Sequence, residues 1–288
     1  MSSERHNLAG IAANSEMHVI AVTSGKGGVG KTNIAVNLAV SMARQGRKVV
    51  VFDGDLGLAN IDVALGLKPR YDIRHVVSGE CSLEDVLLDG PHGIRIVPAS
   101  SGVSSLTELS AAERANIVHA FSDMSEAVDT LIVDTGAGID GSVQTFCSAC
   151  QSVVVVICDE PTSITDAYAL IKVLNRECGV QKFQLLANMV ESDAHGRALY
   201  AKLSRVAERF LDVSLGYVGA VPRDTYMRKA VQQQGAVVDL YPRSCSAQAL
   251  TRLANTIETS SSPYQGVGRL GFFVERLVQQ NNSAMGAL

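Results

Sequence analysis

The sequence predicts an α/β fold, a doubly wound and mostly parallel sheet with helices on both faces. Three observations lead there. From His18 onward, short β-branched runs alternate with helical patterns, the signature of a parallel sheet wrapped on both sides. A glycine-rich turn joins the first run to the first helical pattern. Aspartates close two of the later runs, at the sheet edge where doubly wound folds collect their ligands.

Taken in order, the runs predict strands over 18–23, 48–53, 94–97, 130–134, 152–158, 183–187 and 217–221. Segment 1–16 is polar and interrupted by Glu4, Arg5, Asn7 and Gly10, so it reads as a flexible start without the apolar stretch of an export signal. After Lys31, the fourfold spacing of Ile34, Leu38 and Met42 predicts a helix packed on the sheet, ended by Gly46. The most apolar run, 153–158, stops at Asp159 and is far shorter than the ~20 residues that cross a bilayer, so it reads as a buried strand. One domain is expected over 17–258, followed by a Ser-rich linker over 259–268. Beyond it, Leu270, Phe273, Val274, Leu277 and Val278 fall on one face of a C-terminal amphipathic helix, 269–280, and a flexible tail, 281–288, closes the chain.

Composition narrows the function classes. With 288 residues, 47% of them hydrophobic and 19% charged, the chain is an ordinary globular protein with a sizeable core. Its 25 basic and 29 acidic side chains leave a net charge of −4, which supplies no global field for nucleic acid, and no direct nucleic-acid partner is expected. Six scattered cysteines read as reduced thiols of a cytoplasmic protein. Cys147 and Cys150 have the spacing of a metal or redox pair, but no second pair exists, and buried helical thiols explain them equally well.

Gly25-Lys26-Gly27-Gly28-Val29-Gly30-Lys31-Thr32 follows a predicted strand and opens a predicted helix, the context a phosphate-binding loop requires. Its glycines let main-chain N–H groups face a polyphosphate, and the helix N-terminus adds its positive dipole end. Lys31 then neutralises the β- and γ-phosphates, and the Thr32 hydroxyl ligates magnesium directly. Asp53, Asp55 and Asp134 end strands and should face those phosphates. Asp134 reads as an acid holding magnesium through water, and Asp55 as the group that orients or deprotonates the attacking water; any one of the three alternatively caps a helix. Thr135-Gly136-Ala137-Gly138 reads as a flexible segment that responds to the γ-phosphate. Asn188, at a strand end, is expected to read adenine, or else to be a turn residue, and ATP is favoured over GTP because no Asn-Lys-x-Asp pattern occurs there. A second loop lysine, Lys26, is either solvated or reaches the phosphates of a partner chain in trans. A rival reading takes Gly25-x-Gly27-x-x-Gly30 and Asp53 as a dinucleotide fingerprint for an NAD oxidoreductase, but it leaves Lys31 and Thr32 without work.

The loop, the segment from Asp53 to Asn60 and the stretch from Asp134 to Gly138 together resemble the deviant-Walker ATPases of the MinD/ParA family. Asp159-Glu160-Pro161-Thr162-Ser163-Ile164-Thr165-Asp166-Ala167-Tyr168 and the closing Phe272-Phe273-Val274-Glu275-Arg276-Leu277-Val278 resemble that family's flagellar-number branch, and the likeness spans about residues 17–280. The resemblance implies a P-loop NTPase fold and a magnesium-dependent ATPase that closes as a homodimer on ATP, with Lys26 as the signature lysine, Asp55 at the hydrolytic water and Asp53 as a supporting acid at magnesium through water. It also implies restraint of a FleQ-like flagellar transcription activator and cooperation with the GTPase FlhF. One such C-terminal helix should bind lipid weakly, but two on one dimer gain effective concentration, so ATP-dependent contact with the inner face of the cell membrane is expected, although that helix can alternatively pack on its own domain. Septum-site positioning, or another cargo-positioning task of the same family, is the alternative. Gly54 and Gly136 stand where alanine, or at the second site alanine or proline, is common in the family.

Overall fold

The computed structural model describes residues 17–55, 60–98 and 128–260. Eight strands form one sheet: β1 His18–Ser24, β2 Val49–Gly54, β3 Leu88–Asp89, β4 Arg95–Val97, β5 Thr130–Ala137, β6 Ser152–Ile157, β7 Lys182–Val190 and β8 Ser214–Pro222. Their order is β3-β4-β2-β5-β1-β6-β7-β8, and all pairs are parallel except β3 with β4. The described helices are α1 Lys31–Ala43, α2 Ile61–Leu65, α3 Ile73–Val77, α4 Leu83–Val86, α5 Gly141–Ala149, α6 Pro161–Cys178, α7 Asp193–Phe210, α8 Thr225–Gln232, α9 Val237–Leu240 and α10 Cys245–Ser260.

The period-2 geometry of strands divides the core into two layers. Val19, Ala21, Val50, Phe52, Leu131, Val133, Val153 and Val155 face α5, α6 and α7. Their neighbours Ile20, Val22, Val49, Val51, Ile132, Val154 and Val156 face α1 and α10. The central strands are buried on both faces, which is why they read as unbroken apolar runs. Helix α1 is covered almost all round: Ile34, Leu38 and Met42 are buried as their spacing predicts, and so are Val36, Ala39 and Val40.

The seven predicted strands are all present, with shifts at their ends. The eighth, β3, is a two-residue antiparallel edge strand pairing Leu88 with Ile96 and Asp89 with Arg95, too short to carry an alternation. Strand β5 runs on to Ala137, because Thr135 stays in register with Gly54 and Ala137 with Ser24. The segment expected to flex after Asp134 is therefore sheet through Ala137, with the buried Thr135 hydroxyl bonded to the Val22 carbonyl, and the left-handed turn comes only at Gly138. Helix α10 extends to Ser260, two residues past the expected domain end. The amphipathic segment with Leu270, Phe273, Val274, Leu277 and Val278 lies outside the described residues. No described helix is long and apolar enough to cross a membrane.

Gly54 has a packing reason. A Cβ there would stand 3.1 Å from the Asp134 carbonyl oxygen and 3.2 Å from the ring of Phe146, which is fully buried against Phe52. Gly54→Ala should therefore lower the unfolding free energy by about 1–3 kcal/mol through overpacking. Urea denaturation checks this, and an unchanged midpoint would mean that the Phe146 ring has room to shift.

Candidate functional site

Strands β1, β2 and β5 lie side by side, so their C-terminal ends bring the predicted loop and acids to one place. The loop leaves β1 at Ser24 and turns through left-handed Gly28 and Gly30 into α1. Side chains at Gly27 or Gly28 would point into open space, whereas Val29 is buried and anchors the turn. At Gly25 a Cβ would fall 2.1 Å from the main-chain carbon of Asp166, so only glycine lets the loop lie against α6. Helix α1 begins with Gly30 as its cap and with no acid in its first turn. Its first N–H groups are thus presented to an anion.

Lys31 is buried at the mouth of this turn, and Thr32 hydrogen-bonds Asp134. Asp134 stands opposite Asp53 in the β2–β5 register, and both carboxylates are buried. Burial pushes Asp134 up to about 7, assisted by the negative charges of Asp53 and Asp55 and opposed by the Thr32 bond and the Lys31 charge. Among the described residues its buried Oδ1 has no hydrogen-bond partner. A carboxylate oxygen left unpaired at depth, beside a hydroxyl and a lysine, suits a divalent cation that brings phosphate with it. Thr32 and Asp134 therefore fit the magnesium assignment.

Asp53 does other work. Its Oδ1 accepts the Asp55 N–H at 3.1 Å, while its Oδ2 accepts those of Asn60 at 2.9 Å and Ile61 at 3.1 Å. These three donors take most of a carboxylate's acceptor capacity. The expected magnesium support from Asp53 gives way to fastening the segment that carries Asp55 and opens α2. Burial still raises Asp53 to about 6, against the pull of those N–H bonds. Asp55 is half-buried, and its carboxyl carbon is 3.9 Å from where a Gly136 Cβ would stand, so alanine at 136 would fit without strain.

Asn188 is also spent differently from expectation. Its amide donates to the Val29 carbonyl at 2.8 Å, and its oxygen accepts the Met189 N–H at 2.9 Å. It braces the end of the phosphate loop and offers little of its edge to a base. The next residue, Met189, has φ 56°, at a shift in the β7–β8 register. That strained backbone turns the chain at the rim of a cavity of about 270 Å³, lined by Cys158, Asp159 and Glu160 after β6, by Met189, Glu191 and His195, and by Arg223 after β8. Sequence reasoning missed this cavity, although the rule that singled out strand-end acids applies equally to Asp159 and Glu160.

Lys26 points along its own chain. Its Nζ donates to Glu160 Oε2 at 2.5 Å and to Thr162 Oγ1 at 3.1 Å. The hydrogen bond and charge of Glu160 hold its ammonium above the usual lysine range. Cys147 and Cys150 are buried, and burial pushes Cys147 up to about 12, so they are core thiols. Among the described residues no cluster of His, Cys, Asp and Glu is built to hold a metal by itself. The dinucleotide alternative loses its ribose-binding acid on the same geometry, because Asp53 is committed to main-chain N–H groups.

The chain as a whole is similar to known nucleotide-binding proteins. Residues 20–284 match the CobQ/CobB/MinD/ParA nucleotide binding domain. The chain is 55% identical to the antiactivator FleN of Pseudomonas aeruginosa, covering 91% of this chain and 94% of that one. It is 36% identical to the flagellum site-determining protein YlxH of Helicobacter pylori, over 88% and 87% of the two chains. The septum site-determining protein MinD of Pyrococcus horikoshii, solved with Mg-ADP, superposes with a TM-score of 0.66 at 24% identity, over 84% of this chain and 96% of that one.

The acid pair generates a pH dependence. Asp134 ionises near 3.8 when unfolded and near 7 when folded, so the native state keeps a proton that the unfolded chain has released. Native stability of the ligand-free protein therefore falls as pH rises through that window. Asp134→Asn escapes the loss, and in EDTA its melting temperature should exceed wild type by a margin that widens from about pH 5 to about pH 8. A constant margin would show that burial does not penalise this carboxylate.

Proposed function

Because the chain belongs to the CobQ/CobB/MinD/ParA family of nucleotide-binding proteins, we propose that it is an ATP-hydrolysing switch that closes as a homodimer on ATP and magnesium. In its closed form it limits flagellar number by restraining a FleQ-like transcription activator, in concert with the GTPase FlhF. One observation carries the chemistry: the buried Asp134, bonded to Thr32 and with one oxygen unpaired, sits beside Lys31 at the end of a glycine cradle. The flagellar role is supported by 55% identity over nearly the whole length of an antiactivator.

The roles follow from position. Loop N–H groups and Lys31 bind the β- and γ-phosphates, in keeping with the Mg-ADP of the solved MinD relative. Thr32 and Asp134 hold magnesium, which supplies charge neutralisation at the phosphates. Asp55, on the segment fastened by Asp53, orients the attacking water, and Lys26 of each chain crosses to the phosphates of its partner. The base lies toward the cavity beside Met189, because the loop end is tied to β7 through Asn188. The amphipathic segment 269–280 adds a weak lipid contact, doubled when two chains join, so peripheral attachment to the membrane depends on ATP.

Two sets of measurements test this. Lys31→Ala should abolish ATP binding in calorimetry, whereas Lys26→Ala should bind ATP yet stay monomeric in size-exclusion chromatography. Asp55→Ala should bind ATP and persist as a dimer without turnover. A Lys26→Ala dimer that forms normally removes the trans lysine, and wild-type turnover by Asp55→Ala removes the water-orienting role. A chain shortened after Ser262 should no longer pellet with anionic liposomes in ATP, and undiminished pelleting would locate the anchor elsewhere.

A further inference from the structure

Glu160 is held with unusual firmness for an exposed acid. It caps α6, its N–H bonds the Cys158 carbonyl at 2.8 Å, and its own carbonyl accepts the Ile164 N–H at 3.3 Å. The Ser163 hydroxyl accepts the Cys158 N–H at 3.1 Å, closing the turn from the other side, and Pro161 fixes the first helical residue. The opposite end is equally fixed. Gly25 lies in hard contact with the Asp166 main chain, and the Ser24 hydroxyl bonds the Lys26 carbonyl at 2.7 Å. Between two hydrogen-bonded and closely packed pieces of backbone, the lysine side chain has the freedom to change partners, and two of its three N–H donors go to Glu160 and Thr162.

We infer that Glu160 and Thr162 form a latch that withholds Lys26 from a partner chain, so that the triphosphate of a second copy must displace Glu160 before the dimer closes. The inference rests on the reading of Lys26 as a trans lysine. The argument is one of competition for an ammonium. Lys26 cannot keep a 2.5 Å contact with Glu160 on its own chain and also place the same donors on phosphates across an interface. An exposed ion pair is individually weak, and here the side chains are 30% and 54% exposed, so the latch sets a threshold rather than a block. A partner with ATP brings several negative oxygens and outbids one carboxylate; a partner with ADP lacks the γ-phosphate and does so less well. Glu160 thereby sharpens the difference between the two nucleotides. Thr162 contributes by accepting a second ammonium hydrogen, which holds the side chain folded back when Glu160 fluctuates.

The full-length protein, Glu160→Gln, Thr162→Val, Lys26→Ala and the double variant Lys26→Ala with Glu160→Gln are titrated with ATP and magnesium, and separately with ADP and magnesium, with dimer read by light scattering. Glu160→Gln should lower the ATP concentration for half-maximal dimer by about two- to fivefold per chain, the range of an exposed ion pair. It should also raise dimer in ADP, with variants compared at equal nucleotide occupancy of the monomer as read by fluorescent-nucleotide binding. Thr162→Val should act in the same direction but less, and the double variant should remain monomeric. If Glu160→Gln needs the same ATP as wild type, or more, while Lys26→Ala is monomeric, the latch is overturned and the trans lysine stands. If the double variant dimerises, Glu160 acts by general repulsion and the latch is again overturned. If Lys26→Ala itself dimerises normally, the underlying reading fails first.

Discussion

Two carboxylates buried side by side at the edge of a sheet are the constraint around which the rest of this molecule is arranged. Asp53 and Asp134 are neighbours in register on β2 and β5, and neither is paid for by an ion pair of its own. Each is accommodated differently. Asp53 gathers three main-chain N–H groups from the residues after it, so its charge is dispersed into the loop that it fastens. Asp134 receives the Thr32 hydroxyl and the field of Lys31, and keeps one oxygen unpaired. The first solution ties Asp55 to the sheet, and the second leaves a carboxylate oxygen that suits a cation. The unpaired carboxylate oxygen and the fastening of Asp55 thus originate in one pair of aligned residues.

How much of this is legible in the sequence depends on whether a feature is local. The strands of the sheet centre are, because burial on both faces demands continuous apolar runs such as Ser152–Ile157. The phosphate loop is legible because its glycines, lysine and threonine are adjacent in the chain. Asp53 and Asn188 are recognisable as strand-end polar residues, yet their partners are set by how the backbone turns afterwards, and no spacing announces that Asn188 will bond Val29, 159 positions earlier. Strand β3 escapes notice because two residues have no period. Gly54 looks like a loosened position until Phe146 is seen against it, and Gly25 looks like one more loop glycine until the α6 backbone arrives at its Cα.

Those long-range contacts also decide which parts of the site can move. The phosphate loop is clamped at its head, where Gly25 abuts α6, and at its tail, where Asn188 grips Val29. Strand β5 remains in the sheet to Ala137, and Asp53 fastens the segment after β2. A cradle fixed on this scale binds phosphate without reorganising, which favours tight ground-state binding but gives the loop itself little capacity to report which nucleotide is present. The reporting falls to groups outside the cradle whose contacts are weak enough to exchange. Lys26 is such a group, with a half-exposed carboxylate for a partner and a flexible four-carbon stem. Backbone contact and exchangeable side chain are complementary here: with Gly25 seated against α6, the proposed approach of a second triphosphate acts on the Lys26–Glu160 ion pair.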